Sequence, residues 1–416
     1  MTKKISVILL LSTLLAFASG PVSYYGRMIA SGNKLVGEKT NTPVQARGIS
    51  LFWSCLTWEG AKFYTTEAVD AIVDGFKSEV VRIAMAADDN GSGQWACGDY
   101  QSRKQETLNM VRTVADKAIE RDIYVVIDWH SHKAHQQQAQ VIDFFVNEMK
   151  DYHNVPHVIF EIYNEPTNVQ WSTLRSYSNA VISAIRNAGA NNLVLVGTRN
   201  WAQEVDECAN DPVEDNNIAC VLHFYAASHP LSGWTAGFWN TKTFQQAAET
   251  TLSKNKPIFV SEYGMVNADG GGTPHVANTD AWHAFMDEHK ISSCIWAFNN
   301  KNEGASIFVP TFNPPATGNN PAWTNTSNLT ANGQYILNKL TAYAATAEWR
   351  NTTSILQPPP YGRDLLRPLS EAAGRIQYAP TYYNLKGTSL GTHKPATPGV
   401  YIEKHGTQIR KIMIKQ

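Results

Sequence analysis

Eight short apolar runs, each followed by a connecting segment, constrain the fold of this 416-residue chain more than any other feature. Most runs are continuously apolar rather than alternating, as expected for parallel strands covered on both faces. Eight strands with helical crossovers favour the α/β class and a (β/α)8 barrel over a doubly wound sheet, although periodicity alone does not exclude the latter. The predicted strands are Gly48–Trp53, Glu79–Ala84, Ile123–Trp129, His157–Asn164, Leu193–Gly197, Ile218–Tyr225, Pro257–Glu262 and Ser292–Phe298.

The segments between these runs have the apolar spacing of amphipathic helices. In Ser172–Gly189, for example, Leu174, Tyr177 and Val181 share one face, and Gly189 is a helix stop. The connection between the fifth and sixth strands is short and poorly helical. The other predicted helices are Thr65–Lys77, Arg103–Arg121, Gln138–Asp151, Thr243–Lys254, Asp280–Lys290 and a last helix, Gly333–Thr346.

The two ends of the chain differ in composition from the predicted barrel domain, residues 21–346. Residues 1–20 combine two lysines, an apolar core and small residues, which is typical of a secretion signal and too short for a confident membrane span. A Pro-containing linker, residues 347–372, precedes a small β-rich tail, residues 373–416. We therefore expect an exported protein, either extracellular or associated with the cell surface.

The charge balance excludes some classes of partner. With 35 Lys and Arg against 36 Asp and Glu, bulk charge gives no reason to expect binding to nucleic acid or to a membrane surface.

The five cysteines are an odd number, so at least one thiol stays unpaired. Cys55 with Cys97 and Cys208 with Cys220 are plausible pairs, because each could join neighbouring loops or strands. Cys294 lies in an apolar strand pattern and is expected to be buried. No cysteine spacing suggests a zinc site.

Two carboxylates lie at strand ends. Glu165 follows Asn164 at the end of HVIFEIYNEP, and Glu262 ends the strand in PIFVSEYG. In a barrel the fourth and seventh strands face each other across the mouth, so both side chains could reach one cleft. Paired carboxyl groups suit cleavage of a glycosidic bond, because one donates a proton while the other attacks or directs water. The alternative for Glu165 is a solvated strand end, since loop carboxylates are common.

Further polar side chains occur at the same end of successive strands, a pattern that packing alone does not explain. Arg82 interrupts the apolar run VVRIAMA and requires a carboxylate partner if it is buried. We expect that partner to be Glu262. Glu161, four residues before Glu165, receives no role. The supporting polar residues are Arg82, His130, Asn164, His223 and Tyr225.

The segments GISLFWS, VRIAMA, DWHSH, IYNEP, HFYA, VSEYG and WAFNNKNEG, in this order, resemble the family 5 glycoside hydrolases of clan A. Subfamily 2, the bacterial endoglucanases, is the most similar, and the resemblance covers roughly residues 45–345. It implies a retaining endo-β-1,4-glucanase, or cellulase, that acts on β-1,4-glucan within a (β/α)8 barrel. We expect a monomer that needs neither a metal ion nor an organic cofactor.

The resemblance also implies residue roles. Glu165 would be the acid/base and Glu262 the nucleophile, with Asn164 binding the sugar 2-hydroxyl and Tyr225 holding Glu262. Phe52 departs from the pattern, because many relatives carry a His there, and this puts one sugar contact in doubt. The implied substrate-binding residues are Trp58 and Trp201 as stacking platforms, Trp296 as the floor beside the cleaved bond, and Lys301 with Glu303 in the loop after strand eight. Core packing is the alternative for Trp58 and Trp201.

Three questions stay open at this point. A β-mannanase or a mixed-linkage glucanase could use the same barrel, although Lys301 and Glu303 favour a cellulose-type glucan. A non-catalytic surface glucan-binding protein is a further alternative. The tail sequence PGVYIEKHGTQIRKIMIK resembles the sorting signals of type IX secretion substrates, but a small accessory β module or a solvated basic tail would have a similar composition.

Overall fold

The computed structural model describes residues 20–54, 60–88, 99–232 and 242–351, and four tail segments, 381–383, 389–391, 399–405 and 408–414. Eight parallel strands close into a barrel in chain order, from β3 to β10, and β10 pairs with β3. This confirms the predicted (β/α)8 fold. The strands of the first unit are β1 (Met28–Ser31), β2 (Lys34–Gly37), β3 (Arg47–Leu51), β4 (Val80–Ala86), β5 (Tyr124–His130), β6 (Val158–Glu161), β7 (Val194–Val196), β8 (Ile218–Tyr225), β9 (Ile258–Gly264) and β10 (Ser292–Phe298).

Helices connect the barrel strands, as the sequence predicts. In α5 the apolar face is buried, and Gly189 just beyond the helix has a φ of +84°, where a residue without a Cβ is favoured. The connection between β7 and β8 contains only two four-residue helices, which confirms that it is poorly helical. The α-helices are α1 (Pro21–Tyr25), α2 (Thr66–Asp70), α3 (Lys104–Glu120), α4 (Gln138–Asp143), α5 (Trp171–Asn187), α6 (Arg199–Ala202), α7 (Glu207–Asn210), α8 (Phe244–Ser253), α9 (Val276–His289), α10 (Ala331–Thr346) and α11 (Glu348–Asn351).

An N-terminal segment that the sequence did not reveal lies against the barrel. It consists of α1 and the antiparallel hairpin of β1 and β2. Val22, Met28 and Leu35 from this segment are buried in one apolar cluster with Tyr124 of β5 and Ile159 of β6. The cluster joins the segment to the early part of the barrel strands and leaves their C-terminal ends accessible.

Several predicted boundaries differ from the structure at the ends of elements. The fourth strand stops at Glu161, before Asn164, because the last ladder pairs of β6 are Asp128 with Glu161 and Glu161 with Leu195. By contrast, β9 continues past Glu262 to Gly264. Such shifts change where a side chain points, and they occur at the two strands that carry the predicted carboxylates.

The chain divides into two compact units, Met1–Leu356 and Gln357–Gln416. In the second unit, β11 (Thr381–Tyr383), β12 (Ser389–Gly391), β13 (Gly399–His405) and β14 (Gln408–Ile414) form a four-stranded antiparallel sheet in the order β12-β11-β13-β14. In the described part of the chain, no helix is both long enough and apolar enough to cross a membrane.

A disulfide joins Cys208 in α7 to Cys220 in β8, which confirms one predicted pair. Cys294 is a buried free thiol, also as predicted. The other predicted pair, Cys55 with Cys97, lies outside the described residues.

The Cys208–Cys220 bridge restricts the unfolded chain, and its sequence separation is 12 residues. Replacing both cysteines by Ala should therefore lower the free energy of unfolding by about 2–3 kcal/mol, since a loop of about 15 residues contributes roughly 3 kcal/mol. Urea unfolding with and without dithiothreitol measures this effect. Reductant should remove most of the difference between the wild type and the double variant, because it opens in the wild type the one bridge that the variant lacks. Equal stability of the two proteins without reductant would contradict the prediction.

Candidate active site

The two predicted carboxylates meet at one place in the barrel. A carboxylate oxygen of Glu165, one of Glu262 and a ring nitrogen of His223 all lie within 4.8 Å of one another. The Glu165 side chain is 14% exposed and that of Glu262 is 6% exposed. Both acids are therefore largely removed from water, and Glu165 is the more accessible of the two.

Local irregularities of the barrel bring these acids together. After β6 ends, the Asn164 and Glu165 amides donate to the carbonyls of Trp129 and Ser131, so the segment bends toward the end of β5. On the other side, the pairing of β8 with β9 shifts register between Val221 and His223, and His223 then pairs with Glu262. Register shifts of this kind redirect side chains at barrel rims.

Both oxygens of Glu262 are occupied by donors. The Tyr225 hydroxyl donates to Oε1 at 2.7 Å, and Nη1 of Arg82 donates to Oε2 at 2.9 Å. Gly264 leaves room for the Tyr225 ring that reaches Glu262, because a Cβ at position 264 would lie 2.3 Å from that ring. Two donors, one of them cationic, fix the orientation of the Glu262 carboxylate. The predicted contacts of Glu262 with Arg82 and Tyr225 are thus confirmed.

Arg82 is fully buried and holds more than one acid. Its Nε donates to Glu161 at 2.7 Å, and its Nη2 lies 2.9 Å from Asp128 and 2.6 Å from the Asn164 amide oxygen. Burial raises the pKa of Asp128 to about 7, although Arg82 counteracts the shift and Glu262 adds to it. One guanidinium therefore compensates three acidic side chains, and its position fixes where each of them lies.

His130 and Asn164 complete the wall of the site. His130 Nδ1 lies 2.7 Å from Asp128, and the Asn164 amide nitrogen lies 3.4 Å from His130 Nε2. Burial, together with the charge of Arg82, lowers the pKa of His130 to about 3, so the ring is neutral at ordinary pH. Since Asn164 gives its oxygen to Arg82 and its nitrogen to His130, the orientation of its amide group is fixed.

Glu165 lies between two histidines. His223 Nδ1 is 3.0 Å from Oε1, and His132 Nε2 is 3.2 Å from Oε2. Burial by itself would raise the pKa of Glu165, but the hydrogen bonds of His132 and His223 outweigh it and hold the pKa below its usual range. For His132, burial favours the neutral ring and would lower the pKa. The hydrogen bond to Glu165 opposes this effect, and the pKa of His132 is raised above 6.5.

Trp296, Lys301 and Glu303, three of the residues predicted for substrate binding, lie near this centre. Trp296 is stacked on His130, with ring centroids 5.6 Å apart and planes 5° apart, and Phe52 packs against Trp296 at 5.1 Å. Lys301 pairs with Glu303 at 2.7 Å, and its ammonium lies 5.4 Å above the Phe52 ring.

Trp201 is 41% exposed, which excludes core packing as its role. The backbone amide of Trp201 donates to the carbonyl of Pro166, and this bond holds the residue beside the segment that carries Glu165. Asn200, Trp201 and Ala202 all have positive φ values, a conformation that costs energy in non-glycine residues. Trp58, the other predicted platform, lies outside the described residues.

Sequence reasoning missed four side chains of this site. Asp128 and Glu161 are charged residues inside apolar strands, the same signal that identified Arg82. His132 stands in the quoted segment DWHSH, of which only His130 was chosen. Ser261, whose hydroxyl lies 2.6 Å from Glu161 and 2.9 Å from His223, gave no signal because a serine in a strand is unremarkable.

Glu165, His223 and Glu262 form a group of possible metal ligands, the one such group found among the described residues. Both Glu262 oxygens, however, already accept from Arg82 and Tyr225. A cation beside Arg82 would face a positive charge in a site of low dielectric constant. The donor set therefore suits proton transfer better than metal binding.

The pairing of His132 with Glu165 predicts a measurable coupling. In a Glu165→Gln variant the hydrogen bond to a carboxylate and the charge that most raise the pKa of His132 are gone, only Asp88 and Glu262 still oppose burial, and the pKa of His132 should fall. Histidine NMR titration measures this, with a His132→Gln variant to assign the signal. His135 is a control, because burial lowers its pKa and Glu165 takes no part in the shift. An unchanged His132 pKa in Glu165→Gln would contradict the pairing.

Comparison with known proteins places this site in a family. Residues 37–302 match the family model described as cellulase (glycosyl hydrolase family 5). Endoglucanase Z of Dickeya dadantii (strain 3937) is 42% identical over 282 residues, which are 67% of this chain and 61% of that protein. The chain thus spans about three fifths of the length of this curated relative.

Two solved structures are also similar to this chain. A structure from Cytophaga hutchinsonii matches with a TM-score of 0.69 and 33% identity, over 79% of this chain and 98% of that one. The catalytic domain of Thermobifida fusca endoglucanase Cel5A, a variant in complex with cellotetraose, matches with a TM-score of 0.65 and 27% identity, over 78% and 100% of the two chains. The chain belongs to glycosyl hydrolase family 5, the cellulase family.

Proposed function

We propose that this chain is a secreted endo-β-1,4-glucanase that hydrolyses internal bonds of β-1,4-glucan by a retaining double displacement. The observation that carries the proposal is the pair Glu165 and Glu262, whose nearest oxygens lie within 4.8 Å. Retaining glycosidases separate their two carboxyl groups by about 5–5.5 Å, whereas inverting enzymes leave about 6.5–9.5 Å for a water molecule. The two acids also have different surroundings, which the division of roles requires.

In the first step Glu262 attacks the anomeric carbon while Glu165 protonates the leaving glycosidic oxygen. Glu262 suits the attack because Arg82 and Tyr225 donate to its two oxygens and fix its orientation. Glu165 suits the proton transfer because it is more exposed and has imidazole nitrogens at both oxygens. The pKa of Glu165 is itself held low, but the raised pKa of His132 lets that ring hold the proton that Glu165 passes to the leaving oxygen. The product is a glycosyl-enzyme ester on Glu262 and a shortened glucan with a new hydroxyl.

In the second step water attacks the glycosyl-enzyme. Glu165 has lost its proton and now accepts one from the water, so the ester to Glu262 breaks and the sugar leaves with its original anomeric configuration. Asn164, held by Arg82 and His130, is the donor proposed for the sugar 2-hydroxyl. The stacked pair of His130 and Trp296 would form the floor under the ring undergoing reaction.

The proposed substrate rests on the surfaces around the centre. Trp201 is exposed beside the Glu165 segment, as a ring that stacks on a sugar must be. The ion pair of Lys301 and Glu303 would bind glucose hydroxyls on the non-reducing side, and Trp58 would stack on a further glucose. The names of the relatives support the same class of substrate, since one is an endoglucanase and another was solved with cellotetraose. The active form would be a monomer.

We also propose the domain roles that the sequence predicts: a signal for export in residues 1–20, a catalytic domain in 21–346, a linker in 347–372 and a tail in 373–416 that serves as a sorting signal. The boundary between the two compact units, after Leu356, falls within the proposed linker and supports this division.

Azide separates the roles of the two acids. Glu262→Ala should lose nearly all hydrolysis of 2,4-dinitrophenyl β-cellobioside, and azide should restore turnover by one displacement to give the α-glycosyl azide. In Glu165→Ala the glycosyl-enzyme still forms with this good leaving group, and azide should release the β-glycosyl azide by a second displacement. Proton NMR of the products distinguishes the anomers. A fully active Glu262→Ala, or the same anomer from both variants, would refute the assignment.

A panel of polysaccharides tests the substrate class. The Lys301–Glu303 loop and the exposed Trp201 favour release of new reducing ends from carboxymethylcellulose, with a rapid fall in viscosity that marks cleavage of internal bonds. Lichenan and mannan serve as the comparison substrates. Faster hydrolysis of mannan or lichenan would instead identify a mannanase or a mixed-linkage glucanase. No hydrolysis of any of the three, with retention on insoluble cellulose, would identify a binding protein.

A further inference from the structure

We propose that a groove on the rim of the barrel, beside the segment that carries Glu165, is a further binding site that holds a distal glucose in the leaving part of the glucan chain. The inference rests on the proposed function and deepens it, because it extends the surface that binds the substrate. The groove has a volume of about 430 Å³, within the roughly 300–1,000 Å³ range of small-ligand sites. Its lining residues are His135, Gln138, Ser172, Thr173, Ser176 and Tyr177.

The groove lies on the same face of the barrel as the two acids. It is lined by the segment after β5 and by the first turns of α4 and α5, the helices that follow β5 and β6. In a (β/α)8 barrel this face carries the active site. Tyr163, whose ring lies 5.5 Å from that of Tyr177, is two residues before Glu165, and two residues of chain span at most about 7 Å. The groove is therefore close to the acid that protonates the leaving oxygen.

His135 offers a flat ring in a fixed orientation. The ring is stacked on Tyr163, with centroids 6.0 Å apart and planes 16° apart, and its Nδ1 lies 2.9 Å from the Tyr163 hydroxyl. That hydroxyl donates to the carbonyl of His132 at 3.0 Å, so His135 Nδ1 must donate to the hydroxyl oxygen. Nε2 of His135 is then an acceptor, and the Gln136 amide nitrogen lies 3.4 Å from it, a long hydrogen bond. A sugar hydroxyl can replace this weak donor.

The lining of the groove is polar but uncharged. Burial lowers the pKa of His135, so the ring is neutral at ordinary pH. Within the part of the chain that the structure describes, the side chains of Gln138, Ser172 and Thr173 have no hydrogen-bond partner. The Ser176 hydroxyl donates to the carbonyl of Ser172 at 2.9 Å, and its oxygen can still accept. Free hydroxyl and amide groups beside a flat ring suit a neutral polyhydroxyl ligand, whereas a charged ligand would find no counter-ion here.

The position of the groove decides which part of the substrate reaches it. Because Glu165 protonates the leaving oxygen, the glucose residues on its side belong to the leaving part of the chain. β6 lies between β5 and β7 in the barrel, so the groove and Trp201 flank the segment after β6. A leaving part that is long enough to cross this segment enters the groove, and a short one does not. Since one chain occupies both places, affinity should rise with chain length.

The first test is histidine NMR of the Glu262→Ala variant, which cannot turn over the glucan that it binds. Cellohexaose should shift the ring signals of His135, assigned with a His135→Gln variant, whereas cellobiose at the same concentration should leave them in place. His153 is the control, because it lies just before β6, at the opposite end of the barrel, and its Nε2 is bonded to the carbonyl of Phe145 at 2.8 Å. Its signals should not move with either sugar.

The second test is a Ser176→Leu variant, which fills the groove without adding a polar group. Ser176 is exposed, so the helix can accept the larger side chain. The readout is the ratio of kcat/KM for cellohexaose to kcat/KM for phenyl β-cellobioside, a substrate with no glucose on the leaving side. This ratio should fall about three- to tenfold, the effect of about one lost net hydrogen bond. A general structural defect would lower both values together and leave the ratio unchanged.

Ser253→Leu is the matched control for this substitution. Ser253 is an exposed serine at the end of α8, so the same change is made on a helix far from the groove. Its ratio should equal that of the wild type. Thermal unfolding shows whether each variant is folded. If Ser176→Leu does not fold, Gln138→Ala removes one free amide from the groove and should lower the ratio in the same direction.

The proposal is overturned if cellohexaose leaves the His135 signals in place. It is also overturned if cellobiose shifts them equally, because a site that is separate from the chain in the cleft gains nothing from chain length. A wild-type ratio in folded Ser176→Leu, or an equal fall in Ser253→Leu, contradicts it as well. A wild-type protein that hydrolyses neither cellohexaose nor any other glucan would instead refute the proposed function, so the two failures are distinguishable.

Discussion

The structure of this site depends on one buried cation. The guanidinium of Arg82 lies inside the barrel, without exposure to solvent, and contacts Asp128, Glu161, Asn164 and Glu262. Burying a single charge is costly, and a buried arginine is stable only where carboxylates and hydrogen-bond acceptors surround it. The same contacts orient every acid that Arg82 touches, so the stability of the barrel interior and the geometry of its mouth are coupled.

Near Arg82, the carboxylates of Glu262 and Glu165 lie within a few ångströms of each other but have different surroundings. Glu262 accepts hydrogen bonds from an arginine and a tyrosine hydroxyl. Glu165, at the rim, has His132 and His223 at its two carboxylate oxygens. One acid thus has a permanent cation beside it, and the other has a titratable ring at each oxygen. This difference, rather than the presence of two carboxylates, is what a retaining mechanism requires.

The fold and the family of this chain follow from its similarity to known proteins, whereas the surroundings of each acid follow from its own side-chain contacts. Residues 37–302 match the cellulase family model, and the barrel of a relative solved with cellotetraose is similar over its whole length. These findings fix the fold and the family. The different surroundings of Glu165 and Glu262 follow from distances within this chain.

The amino-acid sequence by itself determined the barrel and its main polar residues, because continuous apolar runs, helical spacing and strand-end residues are local properties of the chain. It identified Arg82, Glu165 and Glu262 and one disulfide, Cys208 with Cys220. The β1–β2 hairpin, the β8–β9 register shift at His223 and the roles of Glu161, His132 and Ser261 were decided only by the tertiary structure. Each of these depends on which distant side chain lies within hydrogen-bond distance, and no spacing along the chain contains that information.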